Sequence, residues 1–427
     1  MRKKIFRVSL LGAGTVGGGV WSLLQENADI LYAQTGCTFE VRHVLVRSVT
    51  KLRPVSIPAE LLTTDAQQAT LAPEVDIVVE LLGGLEPARS LIQQALEAGK
   101  HVITANKMVM AIAGDALVRF AYQRKVRLLY EASVAGSLPI LTILRGALAG
   151  NSITRAVGIV NSTTNFILRE MEHGLEQGVP AEESYQHALQ KAQALGYAEA
   201  DPTSDVKGYD AQYKMAILAR LAFLQDVPVE AVYREGITEL NGRDLIWAKR
   251  LGYCIKLLGT AERLPDGRLN VRVHPTLVAA DNPLCAVRGA FSGIWLQGNG
   301  FEDMLLHGMA AGARPTASAV IGDLIEVARH PKPIPIPDPS LRPGETAPIE
   351  TLSFRYFLRA CGSESEIETL RRGLGELGVS PQHIEPVESQ QELVALTPPI
   401  QEALFQAHLA RLRAEVSRSL QAIRILE

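Results

Sequence analysis

The chain has 427 residues, 47% of them hydrophobic and 21% charged, with a formal net charge of −3. At roughly 150 residues per domain, that is two or three globular domains of ordinary soluble composition. The near-neutral balance argues against nucleic acid or an anionic membrane surface as a partner, and no uninterrupted apolar run reaches bilayer length.

Met1-Arg2-Lys3-Lys4 is followed by a short strand at 5–11 rather than by the apolar core of a signal peptide. Gly12-Ala13-Gly14-Thr15-Val16-Gly17 comes next, and a helix is predicted over 16–32. Strand, Gly-rich turn and helix in that order are the context a dinucleotide fingerprint requires. Gly12 permits the tight turn, Gly14 lets a pyrophosphate approach the backbone, and Gly17 allows close helix–strand packing. The phosphates would sit on the free N–H groups that open the helix.

A second strand is predicted over 39–46. An acidic residue at its end would favour NAD(H) by binding the ribose 2′-hydroxyl. This chain has Arg47, with Lys51 and Arg53 behind it, which suits the 2′-phosphate of NADP(H). A solvated basic loop is the plainer alternative. Strands at 75–82, 101–104 and 126–130 and a helix at 87–98 continue a doubly wound α/β pattern. Ligands bind beyond the carboxyl ends of such strands, where Thr104-Ala105-Asn106-Lys107 lies.

From about residue 131 to 320 the regular alternation is lost. Helices are predicted at 138–148, 165–173, 181–195 and 205–224, and strands at 153–160 and 271–273. That pattern reads as an α+β substrate and dimerisation domain over 136–314, beside a dinucleotide-binding domain over 1–135 that a helix at 315–330 completes. A Pro-rich linker at 331–349 leads to a small domain over 350–427. The linker precedes a strand at 351–360, a helix at 364–377, strands near 383–397, a helix at 402–413 and a last segment at 421–426. Cys37, Cys254, Cys285 and Cys361 form no CxxC, so they read as isolated thiols of a reducing cytoplasm.

The densest chemistry lies between residues 197 and 218. Glu199, Asp201, Asp205, Asp210 and Lys214 crowd the start of one predicted helix, with Asp201-Pro202 as its cap. Asp210 and Lys214 stand one turn apart on a helix that is apolar on two sides. Shielding would shift the pKa of such a pair, and a buried lysine suits a proton donor near neutral pH. An ordinary structural ion pair at i,i+4 has the same pattern.

Together these residues resemble homoserine dehydrogenase over the whole chain. The likeness rests on the glycine loop, on Val79-Glu80-Leu81-Leu82-Gly83-Gly84 and on Thr104-Ala105-Asn106-Lys107. It extends through Glu131-Ala132-Ser133-Val134-Ala135-Gly136-Ser137-Leu138-Pro139 and Asn161-Ser162-Thr163-Thr164-Asn165. It ends with the block from Tyr197 to Lys214 and with Pro315-Thr316-Ala317-Ser318-Ala319-Val320. The tail resembles an ACT domain, taken as a ββαββα regulatory module.

The resemblance implies interconversion of L-aspartate 4-semialdehyde and L-homoserine with NADP(H) or NAD(H), a step towards threonine, methionine and isoleucine. It implies a homodimer or homotetramer in the cytoplasm. Lys214 would give the proton to the developing alkoxide, and Lys107 would polarise that oxygen or hold the substrate carboxylate. Glu199 and Asp210, with Asp205 nearby, would take the substrate's α-ammonium. An aldehyde lacking that ammonium would leave the acids unpaired and be rejected. Gly12, Ala13, Gly14, Thr15, Val16, Gly17, Arg47, Thr104, Lys107 and Gly312 would hold the cofactor. Glu131, Val134, Gly136 and Leu138 match positions whose oxygens hold a monovalent cation, Na+ or K+.

Two stretches depart from the family pattern. Met309 and Ala310 stand where Pro and Gly are usual, in the last cofactor-side loop. Gly362-Ser363-Glu364-Ser365-Glu366 replaces the Asp-x-Pro-Gly type of loop on which ACT effector sites rely, so the tail reads equally as a dimerisation element. Two rival readings are another NAD(P)-dependent amino-acid oxidoreductase and a non-catalytic sensor of NADP(H) or amino acids.

Overall fold

Short apolar strands flanked by amphipathic helices make a sheet that is covered on both faces. That is the architecture of the first unit in the computed structural model, which describes residues 4–53, 55–333, 342–387, 390–415 and 420–427. Chain contacts divide the protein into two units. The first comprises Met1–Ala156, Tyr213–Val229 and Phe291–Gly344; the second comprises Val157–Gln212, Glu230–Ala290 and Glu345–Glu427.

In the first unit, six parallel strands run in the order Leu62–Thr63, Cys37–Leu45, Lys4–Leu11, Ile77–Glu80, His101–Thr104, Leu128–Leu129. This is the 3-2-1-4-5-6 order of dinucleotide-binding sheets. The central strand pairs with Cys37–Leu45 on one side and Ile77–Glu80 on the other, and its Val8, Leu10 and Leu11 are fully buried. The helix expected over 16–32 is two helices, Thr15–Glu26 and Ala28–Thr35. Asn27, with φ −106° and ψ 18°, ends one and begins the other, because its backbone has left the helical well. Helix Ala313–Arg329 belongs to this unit and lies against Thr15–Glu26, where a Cβ on Gly19 would come within 2.6 Å of the Ala313 carbonyl oxygen.

The second unit is built on a sheet in the order Tyr253–Arg263, Leu269–Ala279, Leu420–Ile425, Tyr356–Gly362, Gln390–Leu396, His383–Val387. Strand Tyr253–Arg263 and helix Gly242–Arg250, which is amphipathic and opens on an Asn241–Asp244 capping box, were not expected. The strand expected at 271–273 is eleven residues long, Leu269–Ala279. Its long antiparallel partner extends it well beyond its local apolar pattern.

The helix expected over 205–224 is broken into Thr203–Val206 and Tyr209–Phe223. Gly208, at φ +80°, makes the break, and a Cβ there would lie 3.0 Å from the Glu235 carbonyl oxygen. The left-handed backbone and that close approach both call for glycine.

The tail also differs from expectation. Its main elements run strand, helix, strand, strand, helix, strand rather than ββαββα. Ser353–Phe354 separates from Tyr356–Gly362 and pairs instead with Ile400–Gln401, while the last segment forms strand Leu420–Ile425. That strand joins Tyr356–Gly362 on one edge and Leu269–Ala279 on the other, so the tail's sheet continues into the rest of the second unit. Within the tail, the Tyr356 and Phe405 rings stack at 3.7 Å, and a Cβ on Gly373 would strike Leu412 at 2.2 Å. Part of the expected Pro-rich linker, residues 334–341, lies outside the described residues. Cys254 and Cys285, read as isolated, form a disulfide with their Cα atoms 6.0 Å apart. The register of Tyr253–Arg263 against Leu269–Ala279 brings Cys254 to the end of the sheet beside the turn Pro283–Ala286, which no local spacing reveals.

Candidate active site

Strand Lys4–Leu11 delivers the chain into the glycine loop. Gly12 has φ +119°, and a Cβ there would lie 2.9 Å from the Leu81 carbonyl oxygen. A Cβ on Gly17 would lie 2.2 Å from the Gly12 carbonyl oxygen, so the helix can approach the strand only with glycine at that position. Ahead of Gly14 there is open space. Helix Thr15–Glu26 begins there with no side-chain cap and no acidic residue in its first turn. Its uncapped N–H groups and unopposed dipole suit a pyrophosphate, so the loop fits the group the fingerprint implies. Ala13, Thr15 and Val16 complete the loop.

At the end of Cys37–Leu45, Arg47 is exposed. Arg53 folds back onto its own loop and donates to the carbonyls of Lys51 at 2.8 Å and Ser48. The loop is thus held in shape by one basic residue and presents another. Thr104 ends the fifth strand fully buried. Its hydroxyl donates to Glu80 Oε2 at 2.6 Å and accepts from the Asn106 N–H at 2.9 Å. Glu80, itself fully buried, also accepts the Leu82 N–H at 2.7 Å, and burial pushes its carboxyl above the usual range. Asn106 caps helix Lys107–Gln123, accepting from the Val109 N–H and donating to the Gly84 carbonyl at 2.7 Å. Lys107 is therefore the first residue of a well-capped helix at the carboxyl end of the sheet. Arg220 pins that helix to Tyr209–Phe223 by donating to the Met110 carbonyl at 2.9 Å, and it pairs with Asp226 at 2.8 Å.

The acidic cluster is organised by Asn161, which caps helix Ser162–Glu176. Its side-chain oxygen accepts the Thr164 N–H at 2.8 Å. Its amide nitrogen donates to Asp205 Oδ1 at 2.7 Å and to Asp210 Oδ2 at 2.8 Å. One side chain thus gathers two carboxylates. Asp210 is 2% exposed, in the first turn of Tyr209–Phe223, while Asp205 is half-buried. Lys214 follows Asp210 by one turn but is only half-buried, so the expected full shielding applies to Asp210 alone. The Glu199 side chain is exposed. Its segment is tied down by Thr163, which donates to the Tyr197 carbonyl at 2.9 Å, and by the Phe166–Tyr197 ring contact at 4.5 Å.

The pattern described as "Homoserine dehydrogenase, NAD binding domain" matches residues 12–131, and that described as "Homoserine dehydrogenase" matches 139–325. A homoserine dehydrogenase of Synechocystis is 40% identical over 426 residues, covering 94% of this chain and 95% of that protein. The chain belongs to the homoserine dehydrogenase family. The crystal structure of a homoserine dehydrogenase from Thiobacillus denitrificans is similar over 99% of both chains, with a TM-score of 0.88 and 36% identity. A hyperthermophilic archaeal homoserine dehydrogenase in complex with NADPH covers 75% of this chain and 97% of its own, with a TM-score of 0.63 and 27% identity. The enzyme is an NAD(P)-dependent oxidoreductase with a dinucleotide-binding domain and a catalytic domain. Among the described residues, no helix is long and apolar enough to cross a membrane.

In this homoserine dehydrogenase, the turn after Glu131 has Ala135 at φ 55° and Gly136 at φ 51°. A Cβ on Gly136 would strike the Ala310 carbonyl oxygen at 2.0 Å, and the Ser137 hydroxyl donates to the Met309 carbonyl at 2.6 Å. The unusual Met309-Ala310 pair therefore packs on this turn through backbone atoms, which accept any side chain that clears the contact. Gly312, at φ 112°, begins helix Ala313–Arg329 just beyond it. The Glu131 carboxylate is committed to that turn's own helix, accepting the N–H groups of Leu141 at 2.9 Å and Thr142 at 2.7 Å and the Thr142 hydroxyl. Any cation here would meet backbone carbonyls. Those of Glu131 and Leu138 already accept N–H groups from Val134 and Ile140. Among the described residues, no group of three or more His, Cys, Asp or Glu side chains could hold a metal ion.

Sequence reasoning assigned no role to Asn161, Asn106 or Glu80. The first two follow a strand and open a helix, a capping signal that was legible. Glu80 is a lone carboxylate in an apolar strand, which already implies a buried partner.

Proposed function

We propose that the Asp205–Asp210 pair, with Glu199, binds the α-ammonium of the amino-acid substrate, and that Lys214 donates the proton in the reductive direction. The carrying observation is the Asn161 amide shared between the two carboxylates, at 2.7 and 2.8 Å. Sharing one amide turns an oxygen of each acid towards the same point, where a substrate's ammonium can be bound by charge-assisted hydrogen bonds. Lys214, one turn beyond Asp210, is partly exposed and can meet the oxygen of a substrate whose ammonium is fixed there. Lys107, at the start of its capped helix, holds the substrate carboxylate or polarises the same oxygen.

Bound nicotinamide supplies the hydride. The glycine loop and the uncapped helix behind Gly14 hold its pyrophosphate, with Thr104 shaping the loop that carries Lys107 and Gly312 opening helix Ala313–Arg329. Exposed Arg47 reads a 2′-phosphate, so NADP(H) is preferred over NAD(H); the NADPH complex of the archaeal relative supports this reading. The carbonyls of Glu131, Val134, Gly136 and Leu138 offer a seat for Na+ or K+, which the committed Glu131 side chain neither helps nor blocks.

The test is absorbance at the nicotinamide band, with L-homoserine and NADP or NAD in parallel. Wild-type protein is expected to reduce NADP faster. Lys214→Ala should lose most of kcat and keep NADPH binding. A normal kcat in that variant removes Lys214 from the mechanism.

A further inference from the structure

Strand Leu269–Ala279 carries two short partners on the same edge. Tyr233–Arg234 pairs with Arg272 and Val273, and the tail's last strand pairs with Thr276 and Leu277. That register pairs Arg424, the penultimate residue of strand Leu420–Ile425, with Thr276 and sets its guanidinium over the Tyr233 ring at 5.2 Å. The Arg424 side chain is 3% exposed. It donates to Glu402 Oε2 at 3.0 Å and Oε1 at 2.5 Å, to Glu235 Oε1 at 3.0 Å and to the Tyr233 hydroxyl at 3.2 Å. Glu402 lies in the tail, whereas Glu235 lies 189 positions away from Arg424 in the substrate-domain part of the same unit.

Glu235 leads directly to the break between the two acidic helices. Its N–H donates to the Val273 carbonyl at 2.7 Å, and its own carbonyl faces Gly208. A Cβ on the next residue, Gly236, would lie 2.2 Å from the Val206 carbonyl oxygen and 2.6 Å from Lys207 Cα. The Ile237 N–H donates to that Val206 carbonyl at 2.8 Å. Arg234 donates to the Lys207 carbonyl and lies 3.6 Å from the Tyr209 ring. Segment 233–237 therefore clamps residues 206–209, with Asp205 on one side of the clamp and Asp210 on the other.

We propose that Arg424 is a positioning residue for the homoserine dehydrogenase reaction: through Glu235 it fixes the Val206–Tyr209 break, and so the spacing of Asp205 and Asp210. The inference rests on the reading of those acids as the substrate's ammonium site. The tail thereby contributes to substrate affinity whether or not it binds any effector.

Arg424 is too buried to remove safely, so the variant is Glu235→Gln, whose side chain is 38% exposed and keeps its size. Steady-state rates with L-homoserine and NADP would be measured alongside NADPH binding and circular dichroism. Glu392→Gln serves as the comparison, because Glu392 anchors another buried cluster with Arg359 at 3.2 Å and Trp247 at 2.6 Å that does not lead to the break. Asp210→Asn tests the underlying reading. Glu235→Gln should raise KM for homoserine roughly tenfold, within the usual range of coupling between sites, with kcat and KM for NADP within about twofold of wild type. Glu392→Gln should lower thermal stability and leave both KM values alone. An unchanged homoserine KM in Glu235→Gln, with a raised one in Asp210→Asn, overturns the positioning role alone. An unchanged KM in Asp210→Asn overturns the ammonium site and this inference with it. An equal rise in Glu392→Gln shows general loosening and also overturns it.

Discussion

Replacing Asn161 by alanine removes two functions at once, and the structure lets each be sized. The first is the cap of helix Ser162–Glu176, whose acceptor takes the Thr164 N–H at 2.8 Å. Loss of an Asn cap costs about 1 kcal/mol. The second is the amide that serves Asp205 and Asp210. Asp205 is half-buried, so water replaces its lost donor. Asp210 is 2% exposed and water does not reach it as readily. A hydrogen bond to a buried charge contributes about 1.5–3 kcal/mol, so Asp210 dominates this second loss. Asn161→Ala should therefore unfold about 3 kcal/mol more easily in urea, by combining the cap at about 1 and the Asp210 bond at about 2. The two acids should also drift apart, raising KM for homoserine about tenfold, equivalent to about 1.4 kcal/mol. Asn161→Ser separates the two functions. Serine caps as well as asparagine but cannot reach both acids, so stability should recover by about 1 kcal/mol while KM stays raised. A loss below about 1 kcal/mol in Asn161→Ala, together with an unchanged KM, would refute the reasoning, since the cap alone accounts for that much.

Three further outcomes are expected. Gly17→Ala pushes a Cβ to 2.2 Å from the Gly12 carbonyl oxygen, so the loop must open; stability should fall by about 1–3 kcal/mol, and isothermal titration should show weaker NADPH binding, an unchanged affinity sinking the fingerprint geometry. Arg47→Ala should weaken NADPH roughly tenfold, as expected for a lost charge-assisted contact, and NADH little, whereas equal losses would mean the 2′-phosphate is not read there. His101 Nδ1 accepts the Arg127 N–H at 3.1 Å, and burial, then Arg127, pushes its pKa down to about 4. Its folded pKa is thus below the ordinary 6.5, so its stabilisation is complete above pH 6.5 and is lost as pH falls towards about 4. His101→Gln should flatten that acid-side slope in urea melts by up to about 1.4 kcal/mol per pH unit, and an identical slope in both proteins would remove His101 as its source.

Much of the first unit was legible because its signals are local. A strand, a glycine turn and a helix are adjacent in sequence, and Gly17 meets its constraint at Gly12, five residues away. Strand His101–Thr104 emerged with the bounds its apolar run suggests. The helix breaks at Asn27 and Gly208 were missed for different reasons. Asn27 is a local preference that an amphipathic pattern running through it outweighed. Gly208 is dictated by a carbonyl of Glu235, which no periodicity reports. The long strands of the second unit were read short or not at all, because their polar residues look solvent-facing in sequence although both faces are buried, as Asn270, Arg272, His274 and Thr276 are in Leu269–Ala279.

The sequence by itself determined that a dinucleotide would be bound and that carboxylates and a lysine would crowd one helix start; its resemblance to a known family, carried by motifs spread from Gly12 to Val320, pointed to homoserine dehydrogenase. The first two rest on residue types at short spacings, where covalent connection already restricts the geometry. Only the tertiary structure decided that Asn161, 44 and 49 residues from Asp205 and Asp210, would hold both acids with one amide. It alone decided that Arg424 would reach Glu235 and that Cys254 would meet Cys285. Those contacts depend on the register of strand Leu269–Ala279 against three neighbours. Register is set by the burial of whole faces, and a shift of one residue would turn every side chain to the other side.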